Sequence, residues 1–303
     1  MTDSGPGIGP GKRLLLDLGL VYAALIWGAT FFLVKGVLDH VHPVALVGWR
    51  FIISGLLMLP LALRRRNPAR HLKEGLVLGS ILMLLYVTQT AGLLHTTASN
   101  SGFITGLFVF FVPLFLLLFF RRPPDKGQWA AVAVAVAGLW LLTGGLAGFN
   151  QGDVMTLFAA MAYAAHVLAT DRFVRRDADA VLLAFHQFWI CGAACLVLAG
   201  ASGAGLRVGS PRAMWIILFL AVFPNLSAFF IQLIAQKHTP PVKVSLIFSL
   251  EPVFAALFAW TIGGEVFVGR KALGGALIVA AMILGELSRR SLRKGRSQEV
   301  LPV

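Results

Sequence analysis

The chain has 303 residues, of which 58% are hydrophobic and only 13% charged, and its formal net charge is +13. A soluble domain carries about 25% charged residues, so a water-facing surface of ordinary composition is excluded. The positive charge does not point to nucleic acid, because Lys and Arg sit in short breaks between apolar runs and no domain-sized soluble segment is present.

Residues 1–13 read as a Gly/Pro-containing tail. The apolar run that follows lacks a cleavage-site pattern, so it is expected to be a retained membrane span and not a removed signal peptide. A helix crossing the bilayer needs about 20 apolar residues. On that measure the sequence predicts ten spans, near 14–35, 43–63, 75–94, 98–120, 127–146, 153–171, 180–200, 212–236, 241–263 and 270–287. Charge and proline separate them, as in Arg64-Arg65-Arg66-Asn67-Pro68 and Arg121-Arg122-Pro123-Pro124. Cys191 and Cys195 fall four residues apart inside the seventh run, on one helical face, and read as small packing residues. No metal-ligand spacing surrounds them. The chain ends in a basic tail, 288–303.

Lys and Arg are divided unevenly between alternate loops. The N-terminus, the even-to-odd loops and the C-terminal tail hold 20 of them, and the other set of loops holds five. The positive-inside rule places both termini in the cytoplasm, and an even number of spans agrees. The expected location is therefore the inner (cytoplasmic) cell membrane, as a multi-pass protein.

The two halves repeat. Gln89 precedes His95-Thr96 at the spacing with which Gln232 precedes His238-Thr239. Trp27-Gly28-Ala29 aligns with Tyr163-Ala164-Ala165, and Val112-Pro113 with Glu251-Pro252. Five spans per unit, residues 14–146 and 147–287, make the second unit insert upside down relative to the first. The fold expected is all-α, two inverted five-helix repeats, an arrangement found in many secondary transporters that work by alternating access.

The residues that recur also resemble a known family. Leu25-Ile-Trp-Gly-Ala-Thr-Phe31, Trp49-Arg50-Phe51, His95-Thr-Thr-Ala-Ser-Asn100, Leu250-Glu-Pro-Val-Phe-Ala-Ala-Leu257, Gly264-Glu265 and Gly274-Gly275, in that order, are similar to the EamA-like, ten-helix branch of the drug/metabolite transporter superfamily. The resemblance covers about 14–287. It implies a central cavity between two five-helix bundles, peripheral fifth and tenth helices, and transport of small metabolites, often export of amino acids or related compounds. The first half departs from it by carrying Arg121-Arg122-Pro123-Pro124 where the second has Gly264-Glu265.

Polar residues inside the spans are the candidate site, because a charge at the centre of a span costs about 2.5–3.5 kcal/mol on insertion scales. Glu251 lies near mid-span; it is either a proton-coupling carboxyl or a structural one bonded to a carbonyl that Pro252 frees. Arg50 either snorkels or pairs structurally, or it holds an anionic group through paired hydrogen bonds. Pro224-Asn225 interrupts the eighth span, as a ligand-lining break or as a simple kink. Tyr86 and Gln89 share a face of the third span, and Thr30, His166 and Gln187 complete the set. The partners expected are a small-molecule substrate and the lipid bilayer, with protons or a counter-substrate as candidates for coupling. No cofactor, metal or nucleic acid is expected. An intramembrane enzyme is disfavoured by the lack of Gly-x-Ser-x-Gly and His-Glu-x-x-His patterns. A channel-like facilitator stays as the alternative.

Overall fold

The computed structural model describes residues 9–96, 98–121, 123–143, 150–261 and 266–298. Gly264-Glu265 lies outside them, and so do the side chains of the 288–303 tail. The described chain is helical and contains no strand. Seven helices or helix pairs are long and apolar enough to cross a membrane. Ile104–Phe120 and Lys126–Leu141 are shorter apolar helices, and a final helix carries the tenth run.

Six elements follow the expected spans with small shifts: α1 (Pro10–Lys35), α2 (Pro43–Leu63), α3 (Leu72–Gly92), α6 (Lys126–Thr143), α7 (Gln151–Val174) and α8 (Ala180–Ala201). Their starts are chemically marked. Proline takes the first turn of α1 and α2, where its missing N–H costs nothing. Asn150 and Asp153 close a reciprocal capping box on α7, and Asp179 accepts from two amides of α8.

Two spans are broken and a third is locally widened. The fourth consists of α4 (Ala98–Gly106) and α5 (Phe108–Phe120), and the ninth of α11 (Pro241–Phe248) and α12 (Glu251–Thr261). The two breaks stand at the same distance from the His-Thr pairs, Leu107 twelve residues past His95 and Leu250 twelve past His238, although the prolines that follow are not at matching distances. In the ninth span Pro252 has no N–H for the carbonyl of Phe248 and its ring would press on that carbonyl. The eighth span stays continuous through α9 (Pro211–Leu220), a π-helical segment Ala221–Phe229 and α10 (Phe230–Gln236). Pro224 lies inside the π segment, so the expected interruption takes the form of a widened turn and not of unwound chain. The last span is α13 (Gly269–Gln298).

Equivalent helices of the two halves run in opposite directions. Lys35, at the end of α1, donates to the carbonyl of Thr96 (2.6 Å), and the Thr96 hydroxyl donates to Asp153 in the first turn of α7 (2.6 Å). Early in α1, by contrast, Asp17 pairs with Lys243 (2.7 Å), and Asp177 just beyond α7 pairs with Lys237 (2.7 Å). The end of α7 and the start of α1 therefore share one face. That face also holds the Arg65–Asp179 pair and His186 against the carbonyl of Pro68, and is rich in Lys and Arg. It is called the basic face below. On the opposite face Trp49 donates to the carbonyl of Leu206, and the Gly209 amide to that of His40.

The centre is formed by α1, α2, α3, α7, α8, the π segment and the junction of α11 with α12. α6 and α13 pack on each other at the periphery, where a Cβ on Gly138 would lie 2.7 Å from the carbonyl of Gly274. Gly28 sets the approach of α1 to α12, because a Cβ there would stand 2.6 Å from the carbonyl of Glu251.

Candidate functional site

Arg50 is the largest buried cation among the described residues, only 1% exposed, and lies about two turns into α2. It does not snorkel. Its Nε donates to Oδ1 of Asn225 at 3.0 Å, and Nη2 donates to the same oxygen. The guanidinium carbon lies 4.7 Å from the Tyr86 ring centroid and 5.4 Å from that of Phe51. Desolvated contacts of this kind are worth about 2 kcal/mol or more. A cation that lipid would expel is thus held by an amide oxygen and two π-faces.

The π segment supplies that amide oxygen, and its loosened backbone is itself held. Trp27 Nε1 donates to the carbonyl of Pro224 (2.8 Å), and Ser54 donates to that of Ala221 (2.9 Å). Carbonyls freed around a buried proline need such partners where water is absent. Asn225 therefore takes its position from α1 and α2 as well as from its own helix.

Aromatic rings surround this centre. Trp27 meets Phe248, Phe229 and Tyr163 with ring centroids at 4.9, 5.1 and 6.0 Å. Trp27 and Tyr163 are repeat equivalents, so the two halves touch at corresponding residues. Phe229 continues to His166 at 5.6 Å, Phe188 at 6.1 Å and Tyr86 at 6.2 Å. His166 Nε2 and Gln187 Oε1 are 3.0 Å apart, which joins α7 to α8. Glu251 is the first residue of α12, 6% exposed, within electrostatic reach of the Tyr163 and Tyr86 hydroxyls. Among the described residues its carboxyl accepts no hydrogen bond.

Five buried polar atoms around these rings have no partner among the described residues: Tyr163 OH, His166 Nδ1, Gln187 Nε2, Asn225 Nδ2 and Gln232 Oε1. Each unsatisfied atom costs about 1–3 kcal/mol. Three are donors and one is an acceptor, and the role of the imidazole nitrogen follows its tautomer.

Of the residues expected from sequence, Arg50, Tyr86, Asn225, His166 and Gln187 are brought into one connected cluster, with Glu251 beside it. Gln89 and Thr30 are engaged elsewhere. Gln89 donates to Thr105 of α4 (3.1 Å), and Thr30 to the carbonyl of Trp27 in its own helix (2.8 Å). Sequence reasoning missed Tyr163, Phe229 and Phe248 as site residues, since an aromatic in an apolar run has no distinguishing signal. The recurrence of Trp27 at Tyr163 was the available hint. Cys191 and Cys195 are fully buried free thiols within the core.

Comparison with known proteins settles the class. The model of the EamA-like transporter family matches the chain twice, over residues 14–144 and 150–285. The chain belongs to the EamA-like transporter family. It is 33% identical to a protein of Archaeoglobus fulgidus described as an uncharacterized transporter, over 91% of this chain and 87% of that one. It is 24% identical to the uncharacterized inner membrane transporter YedA of Escherichia coli K12, over 92% and 93% of the two chains. A crystal structure 20% identical in sequence superposes with a TM-score of 0.76, covering 94% of this chain and 99% of the other. The fold is thus that of a multi-pass membrane transporter family. The two matches are separated by residues 145–149.

Proposed function

We propose that the protein is a gradient-driven exporter of a small zwitterionic or amphipathic metabolite, an amino acid or a related compound, moved by alternating access around the Arg50 cluster. The basic face is cytoplasmic in this reading, as the distribution of Lys and Arg requires. The observation that carries the proposal is the buried Arg50, held between Asn225 and Tyr86, with unsatisfied polar atoms on Asn225 itself and on His166 and Gln187, which Phe229 joins to Tyr86. A membrane protein retains such a group at a cost, and a ligand that meets it offsets that cost.

The chemistry of the surroundings selects the ligand class. Arg50, Tyr163, Gln187 and Asn225 offer donors, which suits a carboxylate. Glu251 offers the only carboxyl described in this region, which suits an ammonium. The rings of Trp27, Phe229 and Phe248 suit an apolar body between those ends. A sugar phosphate would need several basic side chains at this depth, and Arg50 alone is present among the described residues of the cluster.

The test is transport by purified protein in liposomes loaded with a panel of amino acids and dipeptides, with efflux read by mass spectrometry. One or a few compounds should leave in a saturable way, faster with counter-substrate outside. Arg50→Ala protein of equal folding should lose at least tenfold of that rate. Efflux no faster than from empty liposomes across the panel would contradict the proposed substrate class, and equal rates in the variant would remove Arg50 from the site.

A further inference from the structure

The repeat that relates Trp27 to Tyr163 also relates Asp17 to Asp153, at the same spacing along the chain. Neither aspartate belongs to the central cluster, yet each performs the same operation. Each sits in the early part of the first helix of its half and bonds the other half near the junction of its third and fourth spans, at Thr96 before α4 and at Lys243 in the first turn of α11. Asp153, on α7, accepts from the Thr96 hydroxyl at 2.6 Å. Asp17, on α1, accepts from Lys243 Nζ at 2.7 Å, four residues past Thr239, the equivalent of Thr96. Because α1 and α7 are antiparallel, the two contacts close opposite faces. Asp17 and Lys35, which borders the Thr96 contact, are separated by eighteen residues, about 27 Å of helix.

The two contacts differ in tightness. At the opposite face Asp153 is fully buried and Thr96 6% exposed, and Lys35 adds a bond to the Thr96 carbonyl. Gly92 and Gly152 bring the backbones together there; a Cβ on Gly152 would lie 2.5 Å from the carbonyl of Gly92. At the basic face the Lys243 and Asp17 side chains are 14% and 24% exposed, and Asp17 Oδ1 is left without a partner. A cleft of about 300 Å³ opens beside them between α1, α11 and α13, lined by Val21, Leu246 and Met282.

We propose that Asp17 and Asp153 are repeat-related latch residues that seal the two faces of the transporter, and that in this conformation the Asp17–Lys243 latch is the one set to release. This rests on the alternating-access reading but adds positioning residues that touch no substrate. The central site is then sealed at both ends, tightly away from the basic face and loosely towards it. Release of Asp17 would separate α1 from α11 and open the route along the cleft, while the Asp153–Thr96 contact stays closed. The exchange of one closed latch for the other would give alternation from two contacts made by repeat-related aspartates.

Double electron–electron resonance separates the latch proposal from the transport proposal, because it needs no substrate. In a Cys191→Ala, Cys195→Ala background, one spin-label pair (Lys12→Cys with Lys237→Cys) reads the basic face. A second pair, Asp39→Cys with Gln151→Cys, reads the opposite face. Asp17→Asn should add a longer-distance population to the first pair only. Thr96→Val should add one to the second pair only; it is chosen over an Asp153 substitution because Asp153 also caps α7. Unchanged distances in both variants, or opening of the wrong face by either, would overturn the proposal. The expected distances together with no flux of any compound would leave the latches standing and count against the transport reading alone.

Discussion

The third and eighth spans occupy equivalent places in the two halves and have been put to different uses. α3 is a regular helix with Ile81, Leu82 and Met83 through its middle, and its polar face meets α4 and Arg50 only at its far end. The eighth span carries Pro224, widens into a π segment and turns Asn225 onto Arg50. The same contrast holds at the aligned prolines of the fourth and ninth spans, where Val112 precedes Pro113 in one half and Glu251 precedes Pro252 in the other. Duplication therefore provides the frame and the closing contacts at each face, while the polar chemistry of the centre is loaded mainly on the second half. The first half supplies one cation, Arg50, and the rings that hold it.

The largest effect should come from removing the second half's answer to that cation. Asn225→Leu leaves Arg50 buried with only π contacts, and should cost about 3 kcal/mol or more in a detergent unfolding measurement. Leu82→Met at the corresponding depth of α3 should cost less than about 1.5 kcal/mol. Similar losses for both would mean that the halves are not divided as described.

A smaller effect is expected at Gly28. Gly28→Ala forces a Cβ against the carbonyl of Glu251 and so displaces α12 or α1. Overpacking of this kind costs about 1–3 kcal/mol. Ala164, its repeat equivalent, already carries a Cβ, and Ala164→Gly should cost about 1 kcal/mol through helix propensity. Thermal unfolding of the two variants side by side measures the difference, and a Gly28→Ala protein as stable as wild type would show that α1 and α12 have room to part.

The smallest effect belongs to the basic face. Arg65 and Asp179 are paired at 3.1 Å with side chains 45% and 32% exposed. A pair so solvated contributes about 0–1 kcal/mol, so Arg65→Ala should leave unfolding and flux within error of wild type. A large loss there would move part of the closure from Asp17 and Lys243 to the α2–α8 loops.

Much of this was legible in the chain itself. Apolar runs bounded by charge and proline locate the spans, and recurrence of Gln and His-Thr at one spacing exposes the repeat. What periodicity conceals is the breaks at Leu107 and Ser249–Leu250, since one or two non-helical residues inside an apolar run leave hydropathy unchanged. Pro224 is visible as a disturbance, but its conversion into a π segment depends on Trp27 and Ser54, which arrive from distant helices. The candidate site was legible where polarity is costly, at Arg50, Asn225, His166 and Gln187. Gln89 and Thr30 carry the same polarity but meet Thr105 and a local carbonyl, a choice that only packing decides. Nothing in the sequence alone singles out Asp17 and Asp153, whose partners lie in the other half.

The central claim is that substrate is held at Arg50, between the two halves. An experimental structure with the transported amino acid bound, obtained once the liposome panel has identified it, tests this most directly. The account predicts the ligand carboxylate within hydrogen-bond distance of the Arg50 guanidinium, with Tyr163, Gln187 or Asn225 donating to it. Ligand seated instead in the cleft beside Asp17 and Lys243, with Arg50 and Asn225 paired as before, would contradict it.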